Sequence, residues 1–274
     1  MQNNQAGTQI SDTRGHERMS FWDHLDEFLS RMRIVFITVI VSGLFIGFFP
    51  ANPKGLLDPS GIYEPIIAVI MHRIRYDILP SEATLIAGGL MDTAYIYVAL
   101  AFLIGIAVSS PLIAYQLFAF VTPALYPSEK KHISKFVAGF MVLFIFGIVM
   151  AYLAILPLTM RIILWFIKSG GAEPLINIKD FYAMVITLTI GSGLLYTIPV
   201  LLVLLVQVGI MPANFIEGKR KIIYVAILVV TAVITPDPTI VTDIIILVPF
   251  IILFESAVLV AKRVERNKIS ESSV

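Results

Sequence analysis

The sequence predicts an all-α membrane protein that crosses a lipid bilayer several times, and three observations support this fold class. The chain of 274 residues is 58% hydrophobic and only 14% charged. Several charge-free apolar runs approach or exceed the roughly 20 residues that a helix needs to cross about 30 Å of hydrocarbon. Lysine and arginine are concentrated in alternate connections between these runs, as is typical of polytopic membrane proteins.

Composition and motifs exclude several other classes of protein. The net charge of +1 argues against nucleic-acid binding, since nucleic-acid-binding proteins of this size usually carry a basic excess. There is no cysteine, and the four histidines lack metal-ligand spacing, so we expect neither a metal nor another cofactor. Ser192 between Gly191 and Gly193 raises the possibility of an intramembrane serine protease. A helix rich in Gly and Ser is more often a packing surface, and no later histidine is present to act as a base, so we expect no enzyme.

Six apolar runs predict six membrane spans. The first four reach or approach the required length, whereas the fifth has thirteen residues and would extend only about 20 Å as a helix. The last two runs therefore predict either a short hairpin that thins the bilayer or a re-entrant element. The runs cover residues 34–49, 93–121, 136–160, 181–211, 222–234 and 244–261.

The positive charges predict the orientation of the chain. Fourteen of the twenty lysines and arginines fall on the side that contains both termini, and positive loops remain in the cytoplasm. The polar first thirty-odd residues do not resemble a cleavable signal peptide. We therefore expect a multi-pass protein of the cytoplasmic (inner or plasma) membrane, with both termini cytoplasmic. The expected organisation is a single domain over 1–274, with a cytoplasmic segment at 1–33, the spans within 34–261 and a cytoplasmic tail at 262–274.

Two helices are predicted outside the spans. Apolar residues recur on one helical face over 21–32, and Ser20 with Asp23 resembles a capping box. This pattern predicts an amphipathic helix on the inner membrane surface. In the first outer loop, Glu64 and Pro65 precede a second stretch with helical apolar spacing. We expect that stretch to form a helix at the outer interface.

Prolines at positions 111, 157, 199 and 249 lie inside or at the ends of spans. Each removes a backbone donor and bends its helix. The bends indicate either ordinary kinks in a bundle or a curved, cup-like wall with a concave face. No internal repeat is visible, so the inverted-repeat signature of many secondary transporters is missing.

Three glutamates are candidate functional residues. Glu27 can pair with Arg31 one turn later, and Glu129 can complement the start of the third span; these local roles are favoured when the residues are considered alone. Glu255 differs because it lies within the sixth span, where a central carboxylate costs roughly 2.5 to 3.5 kcal/mol on insertion scales. We therefore expect Glu255 to face protein or water, in a structural or a functional role.

Two longer motifs connect these residues to a known family. The sequence His-Leu-Asp-Glu at 24–27 is followed by Arg31, and Ser110-Pro111 is followed by a long motif over 115–131 that contains Glu129. Both resemble signatures of the TatC family, the multispanning subunit of the twin-arginine protein translocase, and the resemblance extends over nearly the whole chain. Further matches are Pro65, residues 140–152, Pro157, Pro199, residues 235–237, Pro249 and Glu255.

The resemblance implies a receptor for signal peptides that carry two adjacent arginines. Such a receptor recruits single-span TatA-type and TatB-type subunits, and the proton-motive force drives the export of folded proteins. Glu27 and Glu129 are then the arginine-binding residues, because a carboxylate accepts the planar arginine fork bidentately. Phe120 would contact the peptide beside the arginines, and Lys130 and Lys131 belong to the same cytoplasmic surface. Membrane lipids and further copies of the chain are other expected partners.

Three positions depart from the pattern of the family. Leu29 stands where arginine is usual, Phe118 where tryptophan is usual, and Thr197 where an acidic or amide residue is common in the fourth span. The last substitution predicts a concave face that is less polar than usual. The intramembrane and outer-loop positions with an expected functional role are Pro65, Thr197, Asp237 and Glu255.

Two other functions remain open at this point. A small proton-coupled secondary transporter would use Glu255 as its ionisable site and would not require Glu27 or Glu129. A passive membrane scaffold would tolerate substitution of all three glutamates.

Overall fold

The computed structural model describes residues 21–51, 63–121, 133–236 and 239–272, and this part of the chain is almost entirely helical. Two three-residue strands interrupt the helices. In chain order the elements are α1 (Phe21–Phe48), α2 (Ile66–Ile78), β1 (Thr84–Ile86), α3 (Asp92–Val121), α4 (Ile133–Met150), a π-helical turn (Ala151–Ile155), α5 (Leu156–Ser169), β2 (Leu175–Asn177), α6 (Ile178–Val208), α7 (Ala213–Gly218), α8 (Arg220–Ile234) and α9 (Ile240–Ser272).

Five helices in the described part of the chain are long and apolar enough to cross a membrane. The fifth predicted span corresponds to α8, whose 15 residues extend about 22 Å. A total of six complete spans therefore stays a prediction. The five long segments are Leu25–Phe48, Asp92–Phe120, Ser134–Ser169, Ile178–Val208 and Ile240–Asn267.

Most of the helices are longer than the apolar runs that predicted them. The prediction of a separate surface helix over 21–32 is wrong, because that segment and the first span form the single helix α1. No glycine or proline lies between 21 and 42 to interrupt the backbone hydrogen bonds. The helix α9 likewise continues to Ser272, into the predicted tail. Ser20 of the proposed capping box lies outside the described residues.

The bundle has two ends, which we call the N-terminal face, where α1 begins, and the strand face, where α1 ends. The helix predicted after Pro65 is confirmed as α2 and lies at the strand face, while its location on the outer side of the membrane stays a prediction. Pro65 directly precedes it and forms an antiparallel bridge with Pro50. The Ile66 amide donates to the carbonyl of Phe49 over 2.9 Å. This bridge fixes the start of α2 against the end of α1.

The strands β1 and β2 were not predicted from the sequence. They pair in parallel at the strand face, with Leu85 opposite Ile176, and so connect two loops that are distant in the chain. The Asn177 side chain at the end of β2 accepts a hydrogen bond from the Lys179 amide over 2.8 Å. This cap begins α6 directly after the strand.

The helix α6 lies at the centre of the packing, between α4 and α9. Two buried tyrosines connect it to other helices through their hydroxyl groups. Tyr182 donates to the Met71 carbonyl of α2 over 2.9 Å, and Tyr196 donates to the Ile246 carbonyl of α9 over 3.0 Å. A buried hydroxyl needs such an acceptor, so these contacts specify how the helices are positioned.

Small residues bring pairs of helices together. A Cβ atom at Gly147 of α4 would lie 2.5 Å from the Ser192 carbonyl oxygen of α6, and one at Gly193 would lie 2.9 Å from the Phe144 ring. Ser192 is only 3% exposed. The Gly-Ser-Gly sequence is therefore a packing surface, as predicted, and α1 and α3 make a similar close approach at Gly105.

The backbone accommodates its prolines by identifiable means. Pro111 cannot donate to the carbonyl four residues earlier, that of Ala107. The Ser110 hydroxyl donates to that carbonyl instead, over 2.7 Å. Pro157 follows the π-helical turn of residues 151–155, a local change in hydrogen-bonding register that is often found where a helix is interrupted.

The hairpin of α8 and α9 does not reach the strand face alongside α6. Ile234, the last residue of α8, lies against Gly191, which is about 20 Å along α6 from its start. The Thr235 hydroxyl donates to the buried Asp243 carboxylate over 3.2 Å, which closes the hairpin end. The turn between α8 and α9 is therefore recessed beside the middle of α6, which favours the short-hairpin alternative.

Candidate functional site

Glu27 lies near the start of α1, at the N-terminal face. Its Oε1 atom accepts from both Nη2 and Nε of Arg31, over 2.6 and 3.0 Å. Nη1 of Arg31 donates to Oε1 of Gln116 on α3, over 3.2 Å. The Glu27 and Arg31 side chains are 21% and 27% exposed. A half-buried carboxylate with a guanidinium already bound is thus fixed at the contact between α1 and α3.

An aromatic contact adjoins this pair. Phe28 and Phe120 meet edge to face with their ring centroids 5.2 Å apart, and Phe120 lies one turn after Gln116 on α3. The structure therefore brings Phe120 beside the Glu27 region. Sequence reasoning did not identify Gln116 or Phe28 as parts of the site, since their contribution depends on how α1 packs against α3.

Other residues of the predicted site have different outcomes. Glu129, Lys130 and Lys131 lie outside the described residues, so their place in the site stays a prediction. Phe118 is buried and its ring lies 5.8 Å from the Phe136 ring. It therefore packs α3 against α4, whereas Leu29 on α1 is exposed.

Glu255 of α9 belongs to a second cluster of charges at the N-terminal face. Its Oε2 atom lies 3.0 Å from Nη1 of Arg220 at the start of α8. Its Oε1 atom accepts a hydrogen bond from the Tyr224 hydroxyl over 2.5 Å. Glu255 thus contacts protein, and its two partners come from a helix that no local sequence pattern associates with it.

This cluster extends to α7 and to the end of α9. Nη2 of Arg220 also lies 3.0 Å from Oε1 of Glu217, and Nζ of Lys262 lies 2.5 Å from Oε2 of Glu217. The hydrogen bond from Lys262, together with both positive charges, lowers the pKa of Glu217. We call Glu217, Arg220, Tyr224, Glu255 and Lys262 the hairpin network, because they connect α7, α8 and α9.

Of the other predicted positions, Thr197 and Pro65 lie apart in the described part of the chain. The Thr197 hydroxyl is buried and donates to the Leu194 carbonyl of its own helix over 2.6 Å. Pro65 lies at the strand face, at the opposite end of the bundle from Glu27. Asp237 lies outside the described residues. Within residues 21–51, 63–121, 133–236 and 239–272, no three acidic or histidine side chains are grouped to bind a metal ion.

The Glu27 carboxylate is chemically suited to accept a guanidinium group, as its contact with Arg31 shows. A carboxylate in a partly buried site forms its strongest hydrogen bonds with arginine, because the planar fork directs two N–H groups toward it. The neighbouring aromatic rings supply apolar contact area next to the charge. This arrangement can bind a basic peptide, and it contains no nucleophile with an adjacent base.

Comparisons with known proteins identify the family of the chain. Residues 23–249 match the family described as Sec-independent protein translocase protein (TatC). The chain is 32% identical to TatCy of Bacillus subtilis (strain 168), over 93% of this chain and 94% of that protein. It is 28% identical to a TatC protein of Listeria innocua, over 89% of this chain and 91% of that protein.

Solved structures show the same fold. Two crystal structures of the twin-arginine translocase receptor TatC, one of them in the detergent DDM, superpose with TM-scores of 0.71 and 0.72. Each is 24% identical to this chain, and they cover 88% and 87% of it and 99% of their own chains. The chain therefore belongs to the TatC family of Sec-independent protein translocase proteins, and it is a multi-pass membrane protein of protein transport, neither an enzyme nor a small secondary transporter.

Proposed function

We propose that this protein is the receptor that binds twin-arginine signal peptides at the cytoplasmic membrane face. Glu27 and Glu129 each accept one arginine of the peptide, and Phe120 contacts an adjacent apolar residue. Lys130 and Lys131 complete the site beside Glu129. The observation that carries the proposal is the geometry at Glu27, where one carboxylate oxygen already accepts two N–H groups of an arginine.

A peptide arginine can use this site because the present partner of Glu27 is local. Arg31 lies on the same helix, four residues away, so its side chain can shift without moving a helix. Gln116 provides an alternative acceptor for Arg31 at 3.2 Å. Each charge-assisted contact with the peptide should contribute roughly 1.5 to 3 kcal/mol.

The proposal includes a topology. Six spans, the last two short, place both termini in the cytoplasm, and the kinked helices form a cup-like wall with a concave face. The charge distribution supports the orientation, and the recessed end of the hairpin supports a short fifth and sixth span. The whole chain acts as one membrane domain, with a cytoplasmic segment at 1–33, spans in 34–261 and a cytoplasmic tail at 262–274.

The proposed partners are TatA-type and TatB-type single-span subunits, membrane lipids and further copies of the chain. Folded cargo crosses with energy from the proton-motive force. Pro65 and Asp237 act in the outer loops, and Glu255 and Thr197 act within the membrane part. The burial of Thr197 and the direction of its hydroxyl support a concave face with little polarity.

Peptide binding to the purified protein in mild detergent tests the receptor function. The peptides are a labelled twin-arginine signal peptide and its twin-lysine version. The proteins are wild type, Glu27→Ala, Glu129→Ala and a matched control, Asp26→Ala. Asp26 has the same charge and is the adjacent residue on α1, about 100° around the helix.

The expected result is that loss of either glutamate, or replacement of arginine by lysine, weakens binding at least tenfold. The effect should shrink at higher salt, and Asp26→Ala should bind within about twofold of wild type. Equal binding by all proteins and both peptides, with every protein folded, would rule out receptor function through these glutamates.

A further inference from the structure

A cavity at the strand face, opposite the proposed signal-peptide site, has the features of an anion site. It has a volume of about 300 Å³ and lies between α2, β1 and the first turns of α3 and α6. Its polar lining consists of His72, Arg75, Thr93, Tyr97 and Tyr182, and apolar side chains form the rest of the wall. A small concave site with a few convergent polar groups is the usual form of a ligand site.

A second cavity of about 740 Å³ lies next to α2 and shares His72 and Arg75 with the first. These two residues are three positions apart, so they lie on the same side of the helix. Their imidazole and guanidinium groups therefore border both cavities. A ligand group in either cavity can reach the same two donors.

Two described cations near this face are paired with neighbouring carboxylates, and Nζ of Lys179 in α6 lies over the Tyr95 ring, 5.5 Å from its centroid. Arg73 lies 2.9 Å from Asp77, and Lys168 pairs with Glu82. Arg75, in contrast, has no ion pair and no side-chain hydrogen bond within the described residues. An uncompensated guanidinium at the edge of a cavity attracts an anion.

The surroundings indicate a lipid interface. Tyr76 on α2 is 81% exposed and Trp165 on α5 is 63% exposed, and tyrosine and tryptophan are enriched where a bilayer meets water. The buried face of α2 is apolar, with Ile67, Met71 and Ile74 directed into the bundle. The outward side of α2 is therefore free to meet the polar edge of a bilayer, where exposed tyrosine and tryptophan favour its position.

We propose that the cavity bordered by His72 and Arg75 binds an anion that carries a phosphate group, as the headgroup of an anionic phospholipid does. Arg75 donates two N–H groups to the phosphate oxygens, a geometry that favours arginine over lysine. His72 donates a further hydrogen bond from the same side of α2. The bound anion stabilises the contact of α2 with α3 and α6 at the strand face.

Titration of the full-length protein in detergent tests this site. The added compounds are a short-chain phosphatidylglycerol, a short-chain phosphatidylcholine and inorganic phosphate, and the readouts are thermal stabilisation and bound lipid in native mass spectrometry. The proteins are wild type, Arg75→Gln, His72→Gln and the control Arg161→Gln. Arg161 is exposed on α5 and lines neither cavity.

The expected result is stabilisation by phosphatidylglycerol that requires at least tenfold more lipid in Arg75→Gln and about threefold more in His72→Gln. Arg161→Gln should match wild type. Phosphatidylglycerol binding with no response to phosphate identifies the source as lipid, and an equal response to phosphate identifies a soluble anion. The proposal is overturned if no compound binds, if Arg75→Gln binds as well as wild type while retaining its helical circular dichroism, or if Arg161→Gln loses as much affinity.

Discussion

Two of the carboxylate–arginine pairs at the N-terminal face differ in how they are built. Glu27 pairs with Arg31 within one turn of α1, and Glu255 pairs with Arg220 across two helices. The Glu27 side chain is 21% exposed, and that of Glu255 is 37% exposed. Exposure alone therefore does not show which carboxylate is available to a ligand. The more exposed one, Glu255, is the one held by partners on other helices.

The two pairs differ in how much of the helix packing depends on the arginine. Arg31 can rotate away from Glu27 without changing the packing of helices, so an arginine from a peptide can take its place. Removing Arg220 from Glu255 also affects Glu217, which contacts the same guanidinium. A local pair is suited to exchange with a ligand, and a pair that connects several helices is suited to holding them together.

The largest expected effect is a difference in peptide affinity between variants of the two glutamates. Glu27→Gln should weaken twin-arginine peptide binding tenfold to a hundredfold, because a charge-assisted contact is lost. Glu255→Gln should leave the affinity within about twofold. Fluorescence anisotropy with labelled peptide measures both, and comparable losses in the two variants would contradict the comparison.

For protein stability we expect the opposite order, with Glu255 contributing more than Glu27. Glu255→Gln and Arg220→Gln should each lower the free energy of unfolding by about 1 kcal/mol, since the partly exposed pair is screened by solvent. The double variant should lose less than the sum, because the two residues act through one contact. Thermal unfolding in detergent is the measurement, with Glu27→Gln as the control that should unfold near the wild-type temperature. Strict additivity would show that the pair is not coupled.

A smaller effect is expected at the aromatic contact beside Glu27. Phe120→Ala should weaken peptide binding about threefold to tenfold, because the proposed contact buries apolar surface of the Phe120 ring against the peptide. Phe120→Leu, which retains apolar area, should lose less. Peptide titration compares the two, and an unchanged affinity in Phe120→Ala would remove this residue from the site.

The smallest expected effect is on acid stability. The pKa of Glu217 is lowered chiefly by the Lys262 hydrogen bond, so this ion pair stabilises the fold above the ordinary carboxyl pKa. That stability is lost as the pH falls through the lowered pKa. Melting temperatures from about pH 6 to pH 3 should fall less steeply in Glu217→Gln than in wild type. Parallel curves would show that Glu217 does not contribute.

The helices and the site were predictable to different degrees. Apolar runs located the membrane helices, because crossing a bilayer requires a stretch of suitable length and composition. Their C-terminal ends were missed at Ser169 and Ser272, since a helix can continue into water where hydropathy no longer marks it. The predicted separation of the 21–32 helix from the first span was wrong, because α1 is continuous. Motif resemblance identified Glu27 and Phe120, whereas Gln116 gained its role only through the contact of α1 with α3.

By itself the sequence determined the membrane class, the order of the helices, the presence of α2 after Pro65 and the family, because these follow from hydropathy and from local motifs. The tertiary structure decided the parallel pairing of β1 with β2, the recessed end of the α8–α9 hairpin and the partner of Glu255. Each of these depends on groups that are distant in the chain and meet only after the helices pack. Arg220 and Glu255 lie on different helices, and no periodicity within either helix specifies that they will meet.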